Sequence, residues 1–186
     1  GLNSTSINTL DNATAESHPD TLYRVLGRGD TLIAAGSESI EFWRPNDEGS
    51  GFPFSFVAAH DGGIIHRNAI AGTEPGWNYN GYQSSKISPP DLDRLIEAVT
   101  DKTDIQVSVY VTQGHPIVNV QSDDWTWEYD VSTGLWHERK SYNRTRWKGM
   151  LSFRAFDKWM CGNLPDANLY EIDKAQRYED GEPLIW

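Results

Sequence analysis

The side chains that could do chemistry here are five histidines, one cysteine and 27 carboxylates. Structural zinc sites want closely spaced ligand pairs, usually with cysteines among them. His60-Asp61, His66, His115 and His137 are loosely spaced, and Cys161 is the one thiol. Turn or surface histidines are therefore expected, with no metal and no cofactor. Asp123, Asp124, Glu128, Asp130, Glu179, Asp180 and Glu182 offer a different chemistry. Two such acids across an aromatic cleft would suit a glycosidase, one of them kept protonated by apolar surroundings. Most acidic side chains are simply solvated, and that is the expectation for these. Cys161 follows Trp159-Met160 and reads as a small buried hydrophobe. No nucleophile elbow, Walker loop or dinucleotide-binding fingerprint occurs. Gly27-Arg28-Gly29-Asp30 sits between two strand signals and reads as a tight turn.

A basic cluster stands out against this acidic background. Arg139, Lys140, Arg144, Arg146 and Lys148 fall within ten residues, with Tyr142 and Trp147 between them. Such a run could grip a phosphate backbone or an acidic partner. The whole chain carries 16 basic and 27 acidic residues, a net charge of −11. That balance argues against tight, salt-driven nucleic-acid binding. A contact loop for an acidic protein surface is the expectation for the five basic residues.

The elements that would hold these residues are mostly strands. Aromatics make up 12% of the 186 residues, including eight Trp, and aromatic residues favour strands. Strand signals run over 22–26, 31–35, 39–43 and 54–57, with a turn at Gly36-Ser37-Glu38. In the third of these, Ile40 and Phe42 share one face and Glu41 points to the other. A second set covers 104–112, 116–120, 125–129 and 135–138. Ile105, Val107, Val109 and Val111 line one face of its first strand, and the turns fall at Gln113-Gly114, 122–124 and 132–134. Trp136 alternates with His137, so one faces inward, and Trp136 is the packing residue. A third set covers 150–153, 155–160 and 169–172 with a turn at Gly162-Asn163, and 183–186 reads as another strand.

One helix is expected at about 89–99. Ser88 can cap it, proline opens it, and Leu92, Leu95, Ile96 and Val99 form an i, i+3, i+4, i+7 stripe. Residues 1–20 read as an extended arm, and 21–186 as one domain. Four-stranded meanders recurring about every 40 residues are the sign of propeller blades. The expected fold is all-β: β-propeller-like blades of four-stranded antiparallel meanders, an incomplete propeller, with one short helix. A sandwich of eight or more strands is the alternative. No apolar run reaches the ~18 residues of a membrane span, and no secretory signal is expected from the opening residues.

Several segments, in order, carry a resemblance. They are Ala13–Asp20, Ile40-Glu41-Phe42-Trp43, Ile70-Ala71-Gly72, Gly81–Ser88, Trp127-Glu128-Tyr129-Asp130 and Thr133–Arg139. Together they resemble the packaged-DNA stabilisation proteins of short-tailed bacteriophages and their prophage relatives, over about residues 11–172. The resemblance implies a non-enzymatic virion component, a β-propeller hub in the tail, assembled in the bacterial cytoplasm. It implies a ring of copies below the portal and its adaptor that closes the channel over packaged DNA. It also implies docking of the tail needle and of spikes or fibres. Members of that family are longer, so a fragment is expected, shortened between Ala71 and Gly81. A sugar-binding or sugar-cleaving module, using exposed Trp and paired carboxylates, is the competing expectation. A cytoplasmic propeller serving as an interaction scaffold is a third.

Overall fold

The computed structural model describes residues 19–46, 52–70, 86–163, 166–173 and 175–183. The expectations for the arm before Pro19, for 71–85 and for 184–186 lie outside these residues. The described residues fall into two compact units. The first holds β1 (Leu22–Arg28), β2 (Thr31–Gly36), β3 (Ser39–Pro45) and β4 (Phe54–Asp61). They form one antiparallel meander in chain order. Gly29, at φ 57, makes the two-residue turn between β1 and β2, a conformation that costs glycine little.

Asp20 fastens the chain to the next turn. Its carboxylate accepts from the backbone N–H groups of Glu38 and Ser39, both at 2.9 Å, and from the Ser39 hydroxyl at 3.2 Å. Glycine at position 36 makes room for this, because a Cβ there would collide with the Asp20 carboxylate. Asp20→Ala leaves two N–H donors without that acceptor, and charged hydrogen bonds of this kind stabilise by about 2 kcal/mol. Faster hydrogen exchange at the Glu38 and Ser39 amides is the expected result, and unchanged protection would refute it.

Both faces of β3 are buried, which corrects the half-solvated pattern expected for Glu41. Glu41 is 1% exposed and accepts from the Trp43 indole N–H at 3.0 Å. A carboxylate with a donor beside it can be buried where a lone one cannot.

The second unit holds α1 (Pro90–Ala98), β5 (Gln106–Thr112), β6 (His115–Gln121), β7 (Thr126–Asp130) and β8 (Leu135–Glu138). Then follow β9 (Gly149–Ala155), β10 (Lys158–Asn163), β11 (Leu169–Glu171), β12 (Tyr178–Glu179) and β13 (Glu182–Pro183). β5–β8 are a second four-stranded antiparallel meander, β9–β11 a three-stranded one, and β12–β13 a short ribbon. Gln113 and Gly114, both at positive φ, turn β5 into β6, as the expected Gln-Gly turn requires.

The β5–β8 sheet has two buried faces of opposite character. On one, Val107, Val118, Val120, Trp127 and Trp136 meet Leu92, Leu95, Ile96 and Val99 of α1, with Ile105 and Trp125 completing the cluster. On the other, Ser108, Asn119, Glu128 and His137 stand side by side across the four strands. Ser108, Asn119 and Glu128 are at most 5% exposed, and the Ser108 hydroxyl donates to Ser152 of β9 at 3.3 Å.

Helix α1 starts differently from expectation. Pro89 occupies the cap position, with no side-chain cap. Ser88 donates instead to the Asp93 carboxylate at 2.6 Å. Proline at the first helical position has no N–H to satisfy, which lowers the demand for a cap. The other end is closed by Lys102, whose ammonium donates to the carbonyls of Ile96, Glu97 and Val99. A cation there also suits the helix dipole.

Two readings of the third set are corrected. The stretch 155–160 is not one strand. It is broken by Phe156 and Asp157, at φ 52 and 58, which turn β9 into β10. Neither residue is glycine, and left-handed conformations cost an ordinary L-residue about 1–2 kcal/mol, so no turn signal is visible. Gly162-Asn163 is not a turn either. Both residues lie in β10, paired with Met150 and Gly149 beside a bulge at Leu151. The chain reverses later, near Ala167, where Asn163 accepts from and donates to the far side of the turn.

Candidate functional site

The basic cluster divides into an inward and an outward set. Arg139, just after β8, turns beneath the polar face. Its guanidinium donates to Glu128 at 3.0 Å and to the Tyr110 hydroxyl at 2.6 Å, and lies 3.9 Å from the centroid of the Trp147 ring. Lys148 is 10% exposed and pairs with Asp180 at 2.9 Å. Arg146 is 15% exposed, donating to the Ser122 carbonyl and reaching Asp123 at 3.5 Å. Lys140 and Arg144 remain at the surface, Lys140 beside Glu138 at 2.9 Å.

The loop between these residues is tightly held. Ser141 N–H donates to the Arg146 carbonyl, Arg144 N–H to the Ser141 carbonyl, and Lys148 N–H to the Ser141 hydroxyl. Trp147 anchors it twice. Its backbone N–H donates to Thr126, and its indole N–H donates to Glu179 at 2.6 Å. The indole lies against Gly149, where any Cβ would collide with the ring. The loop thus displays Lys140, half-exposed Tyr142 and Arg144 from a fixed base.

At the centre of that base is Glu128. Besides Arg139 it accepts from Tyr110 at 3.0 Å, Asn119 at 3.1 Å and His137 at 3.1 Å. Burial by itself would raise this carboxyl, but the Arg139 guanidinium and the hydrogen bonds from His137, Asn119 and Arg139 outweigh burial and hold it below the usual range. The hydrogen bond to Glu128 raises His137. Burial, reinforced by the neighbouring Glu128 charge, pushes the Tyr110 phenol up. A carboxylate so locked in its ionised form is a poor proton donor. The arrangement is a charge clamp tying β5, β6, β7 and β8 to the loop before β9.

His115 pairs with Asp130 at 2.8 Å. His60 lies in β4. Among the described residues, no three His, Cys, Asp or Glu side chains converge on a metal position. Cys161 is buried in β10, and burial pushes its thiol up to about 11, away from nucleophilic use at neutral pH. No described helix is long and apolar enough to cross a membrane. The clamp itself was not visible in the sequence. Its trace is the alternation Gln106, Ser108, Tyr110 on β5, whose polar side reads as solvent-facing although it is covered.

Comparison of the sequence with protein-family models and with curated proteins found no match. The fold and the clamp together define a mostly β protein of antiparallel meanders, with one buried charge clamp in its second unit.

Proposed function

We propose that this chain is a structural tail component of a short-tailed bacteriophage or prophage, of the packaged-DNA stabilisation type. It acts as a hub that closes the portal channel and docks other tail proteins: the portal adaptor, the needle, and spikes or fibres. Copies stand in a ring in the virion tail, after assembly in the bacterial cytoplasm. No membrane and no tight grip on DNA are needed.

The observation that carries this reading is the burial of the six tryptophans among the described residues. Trp43, Trp125, Trp127, Trp136, Trp147 and Trp159 are all buried or partly buried. A sugar-binding surface needs exposed indoles to stack on rings, and a sugar-cleaving one needs a free acid pair. Here Glu128 is locked to Arg139, and Glu179 is engaged by Trp147. Four-stranded antiparallel meanders, one of them covered on both faces, with β5 running against β9, are compatible with propeller blades. A scaffold of this kind works through shape.

The outward residues Lys140 and Arg144, with Tyr142, suit an acidic partner surface. Lys140→Glu with Arg144→Glu reverses two charges without touching the clamp. Binding to the portal adaptor, measured by co-purification and by electron microscopy of the assembled ring, is expected to fall about tenfold or more, equivalent to ~1.4 kcal/mol. Unaltered assembly would remove the loop from the contact. A full-length chain that forms no ring with any adaptor would defeat the whole reading.

A further inference from the structure

No further inference is drawn: the strongest candidate, the patch of amide side chains Gln106, Asn119 and Gln121 on the polar face of the β5–β8 sheet, shares Asn119 with the charge clamp already described, and nothing in the structure shows a ligand that it would hold.

Discussion

Glu128→Gln is expected to destabilise the second unit by about 3–5 kcal/mol, the usual result of removing one member of a buried ion pair. The substitution changes almost no volume, so packing is not the cause. The cause is Arg139, which loses the charge it donates to at 3.0 Å while its guanidinium stays beneath the sheet. The amide also brings N–H donors to a position where Tyr110, Asn119 and His137 already donate. Urea denaturation at neutral pH measures the loss. Glu128→Leu with Arg139→Met removes both charges and is expected to recover most of it. A single substitution costing under about 1 kcal/mol would show that the clamp stabilises nothing.

The pH dependence follows from the same groups. Glu128 titrates below its ordinary value in the folded state. Its contribution is therefore complete above the unfolded value, about 4.3, and disappears as pH falls through the lower folded value. His137 runs the opposite way, since its folded value is raised. Its contribution is complete below the unfolded value, about 6.5, and fades as pH rises through the folded one. With half its side chain in solvent, the His137 effect is the smaller. Acid denaturation should therefore begin at higher pH in Glu128→Gln than in the wild type.

Leu92→Ala is the second large effect, expected at about 2–5 kcal/mol. Leu92 is 3% exposed and anchors α1 to the Ile105, Val120 and Trp125 cluster. Nine residues are too few for a helix to persist by itself in water, so α1 owes its existence to this contact. Hydrogen exchange should show α1 amides losing protection before those of β6 and β7. Equal loss in helix and sheet would mean the helix is not a separately docked element.

The parts readable in the sequence were those where one physical signal acts alone. The stripe of α1 and the Val107, Val109, Val111 alternation each follow from burying one apolar face, and the structure joins those two faces. What was hidden depends on partners distant in the chain. Ser108, Asn119 and Glu128 look solvated until β9 and Arg139 cover them. Arg139, Arg146 and Lys148 look like surface cations until Glu128, the Ser122 carbonyl and Asp180 draw them in. The β9–β10 turn defies local propensity, and Gly162 serves a bulge in a strand. Of the five basic residues of the 139–148 cluster, Lys140 and Arg144 keep the exposure that their types suggest.

The Asp20 carboxylate, gripping the link between β2 and β3, also sets where tension would enter the molecule. Pulling on the backbone ahead of it loads three short polar bonds at one end of the first sheet, before any strand ladder feels the force. A tether attached there would release at those bonds first, leaving the meander intact behind them.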